Sequence, residues 1–173
     1  MNIIVRPEAG ADAEAIRAVH LLAFHPSIDE ADLVARLHDD GDSVLSLVAE
    51  HKGEIVGHAM LSRMSVSGDG RAYRALGLAP VGVRPWAQDG GVGSKLIRAA
   101  LAEAETAGEE LIFVLGDPDY YARFGFSQDA AMPFASPYAG TWFMARWLHP
   151  PSGPPRSGVA AYAPAFAAFE EPA

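Results

Sequence analysis

The chain has 173 residues, no cysteine and a formal charge of −9, from 13 Lys and Arg against 22 Asp and Glu. That length predicts one domain, since roughly 100 to 200 residues make one, and a core that needs no cross-links, because about 70 % of the unfolded surface is buried at this size. Without cysteine there is no thiol nucleophile, disulfide framework or Cys-ligated metal, and a surface this acidic, with its cations scattered, repels phosphate backbones and anionic lipid. The start, Met1-Asn2-Ile3-Ile4-Val5-Arg6-Pro7, has no basic leader followed by a long apolar run, and no stretch approaches about 18 apolar residues. The expectation is a cytoplasmic protein with neither nucleic-acid nor membrane partners.

Asp12 is placed to cap a first helix with Ile16, Val19, Leu22 and Ala23 inward, at the three- and four-residue spacing of a helical face. Phe24-His25-Pro26-Ser27 ends it. Asp29 is placed to cap a second helix with Leu33, Val34 and Leu37 inward, stopped by Gly41. Two apolar runs, Val44 to Glu50 and Ile55 to Leu61, joined through Lys52-Gly53, predict an antiparallel hairpin. Their near-continuous apolar character predicts a sheet covered on both faces. After the turn Ser67-Gly68-Asp69-Gly70-Arg71, a strand over Ala75 to Val83 contains Pro80, which cannot donate to a ladder and so belongs at an edge or bulge. Gly90 and Gly91 precede a helix from Val92 to Ala107 closed by Gly108, and Leu111 to Leu115 reads as a short buried strand. Strand, helix and strand make a right-handed crossover with parallel strands. Asp117-Pro118 opens a short helix, ended by Gly125 with a strand starting at Phe126. Thr141 to Leu148 is a further strand. His149 to Gly158, with four prolines and two glycines, is a loop, and Val159 to Phe169 is an extended segment packed back on the domain. The order implies an α/β or α+β domain around one mixed sheet.

The run from Val81 to Leu96 has the chemistry of an anion site. A strand enters a glycine-containing turn and then a helix whose first N–H groups lack intrahelical partners, and these donors and the helix dipole suit a phosphate or pyrophosphate. Gly91 and Gly93 allow a ligand close to the backbone; a plain strand-to-helix turn would use glycines in the same way. A dinucleotide fingerprint would need glycine where Leu96 stands, and a nucleotide P-loop would need Gly-Lys-Ser/Thr where the chain has Gly93-Ser94-Lys95.

The spelling Gln88-Asp89-Gly90-Gly91-Val92-Gly93 resembles the Gln/Arg-x-x-Gly-x-Gly/Ala motif of the GNAT superfamily of acetyl-CoA-dependent N-acetyltransferases. Further on, Tyr121-Ala122-Arg123-Phe124-Gly125-Phe126 is similar to that family's Tyr-x-x-x-Gly-Phe segment. The string from Val114 to Tyr121, with Tyr162-Ala163-Pro164-Ala165-Phe166, looks like one bacterial branch of predicted acetyltransferases whose members mostly lack assigned substrates. The resemblance covers residues 2–148. It implies a GNAT fold, a central mixed β-sheet flanked by helices with parallel strands splayed at the acetyl-CoA site, over residues 1–148, leaving 149–173 as linker and C-terminal segment. It also implies acetyl-CoA as co-substrate, no metal, an amine acceptor that is a small molecule or a protein, and room for a homodimer. By the same resemblance, backbone N–H groups of Gln88, Asp89, Gly90, Gly91, Val92, Gly93 and Ser94 hold the pyrophosphate, and Val81 and Val83 pair with the pantetheine arm like an added strand. An N–H near Pro80 would polarise the acetyl carbonyl. Tyr121 would be the general acid for the departing thiolate, because a phenol with a usual pKa near 10 stays protonated at neutral pH. Asp89-Gly90 stand where relatives commonly carry cations, so weak coenzyme binding is expected unless Arg84, Lys95 or Arg98 offsets the carboxylate.

An ammonium cannot attack a carbonyl, so a base has to take its proton. The candidates are Glu30, Glu50, His51 and His58, with Glu30 preferred; each also has an ordinary reading as helix-face, turn or core residue. His20 and His25 show no metal-ligand spacing, and no Gly-x-Ser-x-Gly elbow is present, which leaves direct attack of amine on thioester. Two rival readings stay open: a non-catalytic acyl-CoA-binding module, and an interaction protein that docks through Tyr162, Phe166 and Phe169.

Overall fold

The computed structural model describes residues 1–170 as an α/β arrangement around an open, mixed, eight-stranded sheet. The elements are β1 (Ile4–Pro7), α1 (Ala13–Ala23), α2 (Asp29–Asp39), β2 (Ser43–His51), β3 (Glu54–Gly68), β4 (Arg71–Val83), α3 (Val92–Thr106), β5 (Leu111–Leu115), α4 (Pro118–Ala122), α5 (Gln128–Ala131), β6 (Phe134–Ala135), β7 (Phe143–Trp147) and β8 (Gly158–Ala161). Short 3-10 turns occupy Gly10–Asp12, Pro85–Ala87 and Pro164–Phe169. The strand order is β1-β2-β3-β4-β5-β7, and β8 pairs with both β3 and β6. The last three residues of the expected C-terminal segment lie outside the described residues. Among the described residues no helix is long and apolar enough to cross a membrane.

Contacts divide the chain into two units, Met1–Leu61 with Ala79–Ala100, and Ser62–Leu78 with Leu101–Ala173. In the first, α1 packs on α2, burying Ile16 and Val19 of one and Leu33, Val34 and Leu37 of the other. The β2–β3 turn takes positive φ at Lys52 and Gly53, the geometry that joins twisted antiparallel strands. Gly57 on β3 lets α3 sit directly on the strand, since a Cβ there would lie 2.9 Å from both Val92 and Leu96. In the second unit, β5 runs parallel to β4 over Ala75–Gly77 and Leu111–Phe113, and antiparallel to β7 along its whole length. The parallel ladder stops before Leu78 and Val114. Phe113, Phe134, Phe143, Tyr73 and Ala160 are core residues of this unit. Glu109, 1 % exposed, is gripped by Arg63 through two 2.7 Å bonds and by Arg74 at 2.9 Å. Burial alone would raise the Glu109 pKa, but these guanidinium bonds hold it below its usual value.

Several local expectations are corrected. Asp12 precedes α1 without capping it: its carboxylate takes the Ala9 N–H at 2.7 Å and pairs with Arg6. Ser27, not Asp29, supplies the side-chain oxygen at the start of α2, accepting the Asp29 N–H at 3.1 Å. Leu22 is 48 % exposed, and His20 takes its place on the buried face of α1. No strand begins at Phe126; Ser127 makes a single bridge to Ala145 and caps the four-residue α5 with its hydroxyl. The C-terminal segment forms β8, antiparallel to β3 over Ser65–Gly68. Tyr162 and Phe166 are turned into their own unit, the Tyr162 ring packing where a Gly77 Cβ would lie 2.6 Å away and Phe166 being 5 % exposed, whereas Phe169 is 40 % exposed.

Candidate functional site

The first unit holds the expected anion loop. Past Val83 the chain makes the 3-10 turn Pro85–Ala87, and Gln88 folds back so that its Nε2 donates to the Val83 carbonyl at 3.0 Å. Asp89 and Gly91 both adopt positive φ, 64° and 81°. That conformation suits glycine and is tolerated by aspartate. The first backbone bond of the helix runs from Lys95 N–H to the Gly91 carbonyl at 3.0 Å. The amides of Val92, Gly93 and Ser94 therefore stand in the unpaired first turn. Gln88, Asp89, Gly90 and Gly91 are exposed, and a Cβ on Gly91 would meet no atom within 4 Å. Open amides on an accessible loop at a helix start fit an oxyanion such as a diphosphate. Val81 and Val83 lie at the end of β4 and are half-buried. Arg84 is not free to offset Asp89: its Nε donates to the Ile55 carbonyl at 2.8 Å and lies 3.6 Å from Glu54. Lys95 is exposed in the first turn of α3.

The proposed bases sit in the same unit, each with a partner. Glu30 accepts a bond from Ser27 Oγ at 2.8 Å, Glu50 from Arg6 Nε at 3.1 Å, and His51 Nδ1 donates to the Asn2 carbonyl at 2.9 Å. His58 is wholly buried, 2.7 Å from Ser46 Oγ on one side and 2.7 Å from His20 Nε2 on the other. Ser46 in turn donates to Glu8, which lies 3.0 Å from His38 Nε2. His20, also wholly buried, stacks on Phe24 and faces Gly82, where a Cβ would approach its Nδ1 to 2.7 Å. Burial lowers the His20 pKa to about 4, and burial beside His20 and His38 keeps that of His58 well below its usual value. Sequence spacing gives His20 no metal-ligand role and singles out neither Ser46 nor Glu8. The available signal was a histidine beside Val19 on the apolar stripe of α1, where a buried imidazole requires a polar partner.

The second unit holds Tyr121. Asp117 caps α4 by accepting the Asp119 N–H at 3.0 Å, Pro118 opens the helix, and Tyr121 follows one turn later. Its ring lies over Gly116, where a Cβ would be 2.5 Å from Cε2, and meets Tyr120 and Phe126 edge-on. Burial, aided by Tyr120, raises the Tyr121 pKa to about 12. Its hydroxyl is protonated at neutral pH.

Residues 5–128 match the family model described as an acetyltransferase (GNAT) domain. An uncharacterised N-acetyltransferase of Escherichia coli K12, YjhQ, is 36 % identical over 143 residues, 78 % of each chain. YhbS of the same strain is 31 % identical over 140 residues, 80 % of this chain and 82 % of the relative. Among solved structures, a GNAT family acetyltransferase from Brucella melitensis in complex with acetyl-CoA superposes with a TM-score of 0.78 at 34 % identity, covering 95 % of this chain and 98 % of that one. Crystalline YhbS from Escherichia coli in complex with CoA gives a TM-score of 0.85 at 29 % identity, covering 96 % and 93 %.

Proposed function

Because the chain belongs to the GNAT acetyltransferase family, we propose that it transfers an acetyl group from acetyl-CoA to a primary amine by direct attack within a ternary complex, as a cytoplasmic activity. The supporting observation is the Gln88–Ser94 loop with its open amides at the start of α3. In this reading the amides from Gln88 to Ser94 hold the coenzyme's diphosphate, and backbone groups of Val81 and Val83 hold its pantetheine arm. Bound acetyl-CoA supplies the activated thioester. Tyr121 keeps its proton until a thiolate forms and then donates it, and Glu30, which accepts a bond from Ser27, is a carboxylate candidate for the base that takes the amine's proton. The test is calorimetric titration with acetyl-CoA and with CoA. Binding of both that is lost when Gly91 and Gly93 are replaced by bulky residues supports the reading, and silence at millimolar coenzyme removes it.

A further inference from the structure

His20, His58, Ser46 and Glu8 form a hydrogen-bonded line whose proton directions are fixed from one end. Glu8, as a carboxylate, only accepts, so the Ser46 hydroxyl gives it its proton. Ser46 Oγ then receives a proton from His58 Nε2–H, which leaves His58 Nδ1 bare to accept from His20 Nε2–H, each at 2.7 Å. A neutral imidazole carries one proton, so His20 Nδ1 is a bare lone pair. No group among the described residues donates to it. A buried acceptor without a donor is destabilising. This one lies against Gly82, between the two residues assigned to the coenzyme's arm. The other end reaches Glu8 and His38, whose side chains are 14 % and 41 % exposed.

We propose that His20, His58, Ser46 and Glu8 form a proton relay, with His20 Nδ1 accepting the proton shed by the attacking amine and Glu8 storing it; the proposal rests on the acetyl-transfer reading. An N–H bond of the substrate ammonium breaks and its proton passes through water, because Nδ1 is itself buried, to bond to His20 Nδ1; the amine's second proton, lost after attack on the thioester, balances the one taken up by the thiolate. The His20 Nε2 proton moves to His58 Nδ1, the His58 Nε2 proton to Ser46, and the Ser46 hydroxyl proton to Glu8, which becomes a carboxylic acid. Both rings are neutral at the start and at the end, so no buried imidazolium has to persist. After product release the shifts reverse, and Nδ1 passes its proton to water, restoring every tautomer.

Nitrogen-15 spectra of the histidine rings in the full chain test the relay without turnover. Nδ1 bare and Nε2 protonated on both His20 and His58 is expected, with that order lost at His58 in Ser46→Ala. Acetyl transfer to propylamine, charged at neutral pH, is then compared with transfer to 2,2,2-trifluoroethylamine, largely uncharged there. Glu8→Gln and Ser46→Ala should lower kcat for propylamine by about ten- to a hundredfold, leave the acetyl-CoA KM unchanged, and cost far less with the uncharged amine. A His20 ring protonated at Nδ1, an equal loss with both amines, or a loss produced by Glu30→Gln and not by Glu8→Gln overturns the relay. Where neither amine is a substrate the tautomers decide alone. Absence of acetyl-CoA binding by calorimetry overturns the acetyl-transfer reading instead.

Discussion

Tyr121 illustrates what burial does to a single acid. A phenol with its pKa raised to about 12 holds its proton against water at neutral pH and so still has it to donate to a thiolate formed beside it. Tyr121→Phe removes the proton and keeps the ring over Gly116. Turnover is expected to fall about a hundredfold to ten-thousandfold, the usual share of a general acid, with coenzyme affinity by calorimetry unchanged; full turnover would take Tyr121 out of the mechanism. At this scale the sequence was informative where a residue belongs to a local spelling, as with Gln88, Gly91, Gly93 and Tyr121. It was silent about His20, whose partner His58 is 38 positions away. Sequence spacing carries no record of a contact between a helix and a distant strand.

Elements with a full period were legible, and those without one were not. The stripe of Val92, Leu96, Ala100, Leu101 and Ala104 is buried as its spacing predicts. The four residues of α5 and the two of β6 are too short to show any period, so a strand expected at Phe126 is a bridge and a helical turn. What seats α3 is likewise invisible in α3 itself: it is the missing side chain of Gly57. Gly57→Val would drive methyl groups into Val92 and Leu96, displacing the first turn that carries the open amides. A loss of about 1–3 kcal/mol in unfolding free energy is expected from such overpacking, with a fall in CoA affinity at least as large as that of a surface substitution in the same turn; denaturant titration and calorimetry measure the two. A helix that docks unchanged on valine would show that Gly57 is not the seat.

For the molecule as a whole, the buried histidines set how stability answers to acid. The pKa of His20 falls from 6.5 in the unfolded chain to about 4 in the fold, so between those values the unfolded chain binds the extra proton. Stability is therefore full above pH 6.5, declines as pH drops below it, and levels off below about pH 4. At 1.36 kcal/mol per unit, His20 alone accounts for about 2 kcal/mol between pH 6.5 and 5, and His58, shifted the same way beside His20 and His38, adds to it. The paired carboxylates enter later: Asp12, bonded by Arg6 and held at about 2, gives up its contribution only as pH falls below its usual value of 3.8. Thermal unfolding that starts to weaken already between pH 6.5 and 5 is the expected record, and a midpoint constant over that span would contradict it.

The loop that opens α3 presents peptide dipoles, the carboxylate of Asp89 and the exposed Lys95, while Arg84 is tied to Ile55 and Glu54. A polyanion held by cationic side chains displaces mobile salt ions from them and is shed as the buffer is made more concentrated. A diphosphate cupped by uncharged N–H groups has few such ions to exchange. Coenzyme affinity in this protein should accordingly drift little between dilute and molar sodium chloride, since salt mutes the attraction of Lys95 and the repulsion of Asp89 together.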